Sequence, residues 1–501
     1  MLFNSYEFLL FFMPLALFGY FLLGGRKPLL AAAWLTLASL AFYAWWDVRY
    51  LPLLLGSILG NYLFGRAIAK RVGSPTAGRL LALAITLDLS LLVWFKYAGF
   101  VVSSVNLLAG ANWWVPQVVL PLGISFFTFT QIAFLVDAWG GKVRETRFLH
   151  YVLFVTYFPH LIAGPVLHHS EMMPQFDQAR NYRPRLNNAL IGSSIFMFGL
   201  VKKVLIADNL APYVGAVFDH TTEPSLLVAW GGALAYSFQL YFDFSGYSDM
   251  AIGLSRLFGV RLPLNFASPY KAASIVEFWR RWHMTLSRFL RDYLYLPLGG
   301  NRRGRVRRYG NLMLTMLLGG LWHGAGWNFV LWGGLHGVYL CLNHAWSTMA
   351  GNMRLPKPLA VGLTFLAVTV AWVFFRAGSF SIALDLLAGM VGLHGVALPD
   401  AIVNRLGPGK ALLEGLGVRF YLGGGSQFIL TWFWVGLAAL ISFMPPNTQE
   451  WHARFAPALE PVDGRRLRWS LHSGWAIGLG LATTVCMLAL SRPSEFLYFQ
   501  F

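Results

Sequence analysis

The chain has 501 residues, of which 57% are hydrophobic and only 12% charged, against roughly 25% charged in an ordinary soluble domain. Twenty Trp, twenty Tyr and 41 Phe add an aromatic load that a water-facing surface cannot hide, and 39 Lys and Arg against 21 Asp and Glu leave a formal charge of +18. This balance excludes intrinsic disorder, a secreted disulfide scaffold and a soluble multi-domain enzyme, and it points to an all-α, polytopic membrane protein.

The first apolar run covers residues 8–23. Glu7 precedes it and Arg26 and Lys27 follow, the reverse of the charge order in a cleavable leader. It reads as an uncleaved span whose N-terminus lies outside the cytoplasm, because cytoplasmic connections collect Lys and Arg. Further candidate spans cover 29–46, 50–69, 80–94, 118–139, 151–166, 190–206, 226–241, 312–322, 329–342, 359–375, 428–444 and 475–490. Several fall short of the ~20 residues of a simple spanning helix, so roughly eleven true spans are expected. The others must be re-entrant, tilted or packed in protein, since irregular backbone at membrane depth cannot face lipid.

Prolines and glycines punctuate these runs. FPHLIAGP at 158–165 interrupts one, and PLG at 121–123 opens another. Proline inside a helix removes a hydrogen bond and kinks it, so such breaks either seat small-residue helix contacts or line a cavity. Residues 399–425 read as a long Gly-rich loop. The stretch 451–468, with Arg454, Arg465, Arg466 and Arg468, reads as a basic cytoplasmic connection, and 496–501 as native, packed chain. No internal repeat is visible, which weakens a transporter built from duplicated halves. The whole reads as one integral-membrane domain, 1–501, with its informative motifs in 121–345 and C-terminal helices in 359–501.

The basic residues sit in short connections between apolar runs, not in a separate basic domain, so no nucleic-acid partner is expected. Cys341 and Cys486 both lie in apolar stretches. With no CxxC pair and no HExxH, a metal site is not expected.

Among segments that do not span, 277–293 is the most informative. At ~100° per residue, Phe278, Trp282, Leu286, Phe289 and Tyr293 share one face, while Glu277, Arg280, Arg281, Arg288 and Arg291 share the opposite one. Glu277–Arg281 and Arg288–Asp292 have the spacing of helical ion pairs. The pattern predicts one amphipathic helix lying along the cytoplasmic membrane surface, with His283 at the edge of its aromatic face. The following string NRRGRVRR at 301–308 packs five arginines into seven positions. It reads either as a lipid-headgroup anchor or as a dock for a polyanionic donor such as a nucleotide-bearing thioester.

The second informative segment is LLGGLWHGAGWN at 317–328, followed by LWGGLHG at 331–337. Here His323 and His336 sit in an apolar region among small residues. An intramembrane histidine is a functional candidate because its charged form is costly there, and neutral imidazole is the form that accepts a proton as general base. The alternative is a core histidine donating to a carbonyl. On one unbroken helix the two would lie ~20 Å apart, so they form a dyad only if the chain reverses near Gly326. Asp243, Ser245 and Asp249 follow the run 226–241; they read either as positioning groups for arginines or donor, or as helix-end caps and ion pairs.

Taken together, YFDFSGYSDMAIG at 241–253, EFWRRWH at 277–283, RDYLY at 291–295, LGGNR at 298–302 and GLWHG at 320–324 resemble the membrane-bound O-acyltransferase family. Within it they are closest to the bacterial branch of alginate O-acetyltransferase subunit I. MLFNSYEFL at 1–9, FPHLIAGP at 158–165 and YFQF at 498–501 resemble the same branch, over most of the chain except 399–425 and 451–468. The resemblance places the family's near-uniform histidine on His323 and its second histidine on His283. It implies acetyl-CoA as a cytoplasmic donor substrate, no bound cofactor, and transfer across the bacterial inner membrane towards an extracytoplasmic polysaccharide, through a periplasmic acetyltransferase or polysaccharide-modifying partner. The D-alanyl transferase of teichoic acid synthesis shares these motifs, so D-alanyl or lipid acyl transfer stays open beside acetyl transfer, and a transporter is the reading from another class.

Such chemistry needs a base for the acceptor hydroxyl and donors for a developing oxyanion. His323 suits the first role. Trp322, Trp327, Asn328 or a backbone amide near Gly324 suits the second. Arg280, Arg281, Arg291, His336, Asp243, Ser245 and Asp249 are further candidates for holding substrate or donor. No GxSxG nucleophile elbow and no Hx4D pattern occur, which argues against a covalent serine route and a glycerolipid acyltransferase.

Overall fold

The computed structural model describes all residues except 144–146, 162–163, 303, 350–354, 408, 422, 424, 465–467, 471, 491–496 and 498–501. The sequence expectations for Arg303, Arg465 and Arg466, for part of 158–165 and for nearly all of 496–501 therefore lie outside the described residues.

Leaving aside single turns and a seven-residue helix at Gly409–Gly415, the chain folds as α1 (Glu7–Gly24), α2 (Pro28–Ala44), α3 (Val48–Ala69), α4 (Pro75–Ala109), α5 (Ile124–Trp139), α6 (Phe148–Thr156), α7 (His169–Phe176), α8 (Leu186–Phe218) and α9 (Leu226–Leu257). There follow α10 (Ile275–Trp279), α11 (Met284–Leu290), α12 (Arg305–His323), α13 (Trp327–Met349), α14 (Lys357–Arg376), α15 (Phe380–Met390), α16 (Ser426–Phe443) and α17 (Ser473–Ala489). The strands described are a two-residue parallel pair, β1 (Ala397–Leu398) and β2 (Arg419–Phe420), in the loop before α16. Six helices, α1, α3, α4, α8, α14 and α16, are long and apolar enough to cross a membrane, and α2, α5, α15 and α17 are shorter apolar helices. An all-α polytopic membrane protein is the result. The sequence expectation of about eleven spans compares with these six long and four shorter helices.

The buried centre is α9, which is covered along most of its length. Its tightest neighbour is α8, and glycine makes the approach possible. A Cβ on Gly199 would fall 2.5 Å from the Gly246 carbonyl oxygen, and one on Gly253 would fall 2.5 Å from that of Gly192. The two pairs sit seven residues apart on each helix, so a stripe without side chains lets two backbones touch.

Three sequence expectations change here. Residues 226–241 do not end a helix: α9 continues to Leu257, so Asp243, Ser245 and Asp249 lie mid-helix and cap nothing. The charges persist inside because α8 carries matching lysines. Lys203 Nζ lies 2.6 Å from Asp243 Oδ1, and Lys202 Nζ lies 2.6 Å from Asp249 Oδ2. Gln449 donates a further bond to Asp249 at 2.9 Å, and the Leu497 backbone N–H donates to Asp243 Oδ2 at 3.2 Å. The partners are lysines, not the arginines expected. They are also the paired internal charges a transporter would need, but here they lock two helices whose lysine and aspartate ends are buried.

The run 118–139 is helical only from Ile124, because Gly123 at φ 66° turns the chain after the irregular segment 111–121. The run 151–166 likewise ends its helix at Thr156.

The third change concerns 277–293. It is not one amphipathic helix but two short ones, α10 and α11, with a break at 280–283 and a π-helical turn over Arg291–Tyr295. Glu277–Arg281 pairs as expected, at 2.6 Å. Arg288 does not pair with Asp292. Its guanidinium makes two bonds to Glu171 on α7, at 2.7 and 2.9 Å, and Asp292 pairs with Arg291.

Candidate active site

The break between α10 and α11 brings His283 inside. Its backbone adopts φ 42°, a left-handed conformation that a non-glycine residue holds only under compulsion from its surroundings, and its side chain is fully buried. Asn265 supplies that compulsion. Its Oδ1 meets His283 Nδ1 at 3.1 Å, Thr285 Oγ1 at 3.0 Å and the Thr285 backbone N–H at 3.4 Å, while its backbone carbonyl accepts from Met284 N–H at 3.0 Å. An oxygen that accepts from a backbone N–H fixes the orientation of the amide, so His283 Nδ1 must be the protonated nitrogen. Nε2 then carries the lone pair. It is buried with no hydrogen-bond partner among the described residues.

His323 ends α12, and its ring centroid lies 6.3 Å from that of His283. Just beyond His323, α12 and α13 fold back on each other around 324–326. A Cβ on Gly320 would fall 2.2 Å from the Phe329 carbonyl oxygen, and one on Gly333 2.2 Å from that of Met316, so glycines on both helices permit the hairpin. Trp322, Trp332 and Phe375 flank His323 with ring centroids at 5.0, 5.0 and 5.3 Å. The pair of imidazoles therefore sits in an aromatic box that excludes bulk water.

The end of α12 is pinned by a residue the sequence reading did not single out. Within α4 a π-helical turn, Val93–Tyr97, aims Lys96 at the last carbonyls of α12. Lys96 Nζ donates to Trp322 O at 2.6 Å and His323 O at 3.1 Å, and Tyr97 Oη donates to Leu321 O at 2.7 Å. Those carbonyls lack intrahelical partners and form the negative end of the helix dipole, so a cation there fixes the backbone that carries His323.

His336 does not complete a dyad. The chain does reverse near Gly326, but each imidazole packs on the Trp332 indole, at 5.0 Å from His323 and 4.8 Å from His336. His336 is buried among Trp279, Trp332 and Phe278, with neither ring nitrogen hydrogen-bonded among the described residues. Asn328 Nδ2 donates to the Ala377 carbonyl at 2.7 Å, which spends one of its donors on the end of α14. Phe244 faces His283 at 4.8 Å, whereas its neighbour Asp243 points to Lys203.

Beneath the histidines a cleft of about 590 Å³ opens among Arg280, Arg288, Arg291 and Arg308. Its wall includes Met284 and Thr285, the two residues after His283, and Met316 on α12. Arg281 is not part of it; its Nη1 turns to the Ala267 carbonyl at 3.4 Å. Arg288 is neutralised by Glu171 and Arg291 by Asp292, whereas Arg280 and Arg308 make no ion pair among the described residues. Glu460 closes one edge. Burial pushes its carboxyl above the usual carboxylate range, and the Leu264 N–H, 2.7 Å away, and Arg288 oppose that shift. Asn265 and Lys96 left no periodic mark in the sequence, and only an unexpected polar residue in an apolar run signalled either. Among the described residues no cluster of His, Cys, Asp or Glu fit to hold a metal ion is found.

Comparison with known proteins bears on this arrangement. A family model described as "MBOAT, membrane-bound O-acyltransferase family" matches residues 140–383. The chain is 47% identical over 427 residues to a peptidoglycan O-acetyltransferase of Helicobacter pylori, covering 79% of this chain and 81% of that one. It is 40% identical over 516 residues to a probable alginate O-acetylase of Pseudomonas putida, covering both chains fully. A teichoic acid D-alanyltransferase of Streptococcus thermophilus is 28% identical over 280 residues, covering 51% of this chain and 68% of that one. Two buried imidazoles, an arginine-lined cleft beneath them and full-length relatives that acylate hydroxyl groups converge: the chain belongs to the membrane-bound O-acyltransferase family and is an O-acyltransferase.

Proposed function

We propose that this enzyme transfers acetyl groups from acetyl-CoA, taken up in the arginine-lined cleft, to an extracytoplasmic polysaccharide, directly or through a periplasmic partner protein, in the bacterial inner membrane with the N-terminus on the periplasmic side. The observation that carries the reading is the continuity of one site: a cleft with two uncommitted guanidinium groups runs up to the residues flanking His283, and His283 faces His323. The relatives named for peptidoglycan and alginate O-acetylation support a polysaccharide acceptor. D-alanyl transfer has weaker support, since the corresponding relatives cover only about half of this chain.

In this reading His323 takes the proton of the acceptor hydroxyl as its oxygen attacks the thioester carbonyl. A tetrahedral oxyanion forms, the C–S bond breaks, and the proton returns to the departing thiolate, leaving an acetyl ester and free CoA. His283, held by Asn265 with Nε2 free to accept, orients the donor side. Arg280 and Arg308 bind the phosphates of the nucleotide, for which planar guanidinium forks are suited.

The test is kinetic. Arg280→Gln combined with Arg308→Gln is expected to raise KM for acetyl-CoA about tenfold or more while kcat holds, the signature of lost ground-state binding. An unchanged KM would remove acetyl-CoA from this cleft.

A further inference from the structure

A second cavity, of about 480 Å³, lies next to the donor cleft and shares no lining residue with it. Arg180, Arg185, Arg256 and Arg261 line it together with Gln175 and Asn181, and among the described residues no acidic side chain does. The two sites are neighbours: Leu459 lines this one and Glu460 the donor cleft, and on α7 Glu171 reaches Arg288 while Gln175, one turn on, turns here.

Arg256 is the anchor. It is only 7% exposed, and its Nη1 and Nη2 donate to the backbone carbonyls of Ala456, at 3.2 Å, and Phe455, at 3.4 Å. Its Nε has no partner among the described residues. A buried guanidinium with no counter-charge is costly to maintain. The Arg261 backbone and the Arg180 side chain are held in place. Gln175 bonds Arg261 twice, accepting from its backbone N–H and donating to its carbonyl, both at 2.9 Å, and Gln178 Oε1 accepts from Arg180 Nε at 2.9 Å. Gly259 at φ 77°, whose Cβ would lie 3.0 Å from the Asn181 carbonyl oxygen, keeps the floor free of a side chain.

Four arginines around one polar cavity, with the Arg256 and Arg180 guanidinium groups held by hydrogen bonds, match the chemistry of a phosphate. We propose that this cavity binds a phosphate-bearing anion, supplied either by a phospholipid headgroup at the membrane surface or by a soluble nucleotide. The proposal does not depend on the acetyl-transfer reading, because its readout is binding alone.

The experiment uses the full chain, purified in detergent. Native mass spectrometry measures retention of dioleoylphosphatidylglycerol against dioleoylglycerol, which has the chains without the phosphate. In parallel, adenosine 3′,5′-bisphosphate is titrated against lipid-free protein in an Arg280→Gln, Arg308→Gln background, which removes the unpaired guanidinium groups of the donor cleft. At least one phosphate probe is expected to bind, and Arg185→Gln combined with Arg261→Gln, both exposed positions, is expected to weaken it about tenfold or more, with dioleoylglycerol retention unchanged. Arg256→Gln is expected to abolish binding. Loss confined to phosphatidylglycerol assigns the site to lipid, and loss confined to the bisphosphate assigns it to a nucleotide. Equal binding by wild type and the double variant, or no binding of either probe to wild type, overturns the proposal.

Discussion

His323→Ala is expected to lower acetyl transfer by about 10²- to 10⁴-fold, the range for removal of a positioned general base, while the protein still inserts and purifies like the wild type. The expectation rests on the position of the imidazole: it closes a helix whose last carbonyls are already held by Lys96 and Tyr97, so truncating the side chain leaves the backbone anchors in place. Label transfer from radiolabelled acetyl-CoA in purified membranes reads the effect. Asn265→Leu serves as the companion, because it frees His283 to change tautomer without touching His323. It is expected to cost about tenfold or more in kcat, the size of one lost orienting hydrogen bond to a catalytic group, and Asn265→Asp, which keeps an acceptor facing Nδ1, is expected to recover part of it. Full transfer by His323→Ala would remove the base assignment.

Lys203→Met is expected to destabilise the protein by about 3–5 kcal/mol, the cost of leaving one member of a buried ion pair without its partner. Asp243 is 1% exposed, and Lys203 is the charged group beside it, with Asp208 sharing the same ammonium at 2.7 Å. A fall in the midpoint of thermal unfolding in detergent checks the prediction. The double variant Lys203→Met with Asp243→Leu is expected to recover much of the loss, since replacing a whole buried pair with apolar groups is often close to neutral. If Lys203→Met instead unfolded at the wild-type temperature and lost only activity, Asp243 would belong to the donor-handling machinery and not to the frame that joins α8 to α9.

That pair also shows where the sequence stopped being legible. Composition and run length were enough for an all-α membrane fold, and the breaks at 121–123, 158–165 and 324–326 were readable because proline and glycine announce them. Helix α9 was cut short at residue 241 because Asp243 and Asp249 looked like the polar end of a span; the lysines that neutralise them lie some forty residues earlier on another helix. The segment 277–293 failed for a different reason. Its aromatic and charged residues keep a helical period through the break, and nothing in a side-chain pattern marks His283 as the left-handed residue that interrupts it. Family resemblance singled out His283 and His323, but nothing in their 40-residue spacing announced their close approach. Lys96 was not singled out, because a π-helical turn within a longer helix has no signature in composition.

The proposed reaction takes its donor from one face of the membrane and gives the acyl group up at the other. The most direct measurement seals the purified enzyme into vesicles of known orientation, with radiolabelled acetyl-CoA confined to the side of the Arg280–Arg308 cleft and a soluble glycan acceptor, with any partner protein it requires, on the opposite side. Labelled glycan should accumulate with wild-type protein and fall to background with His323→Ala. Label reaching glycan only when both substrates share one compartment, or reaching it equally with the alanine variant, would contradict the account.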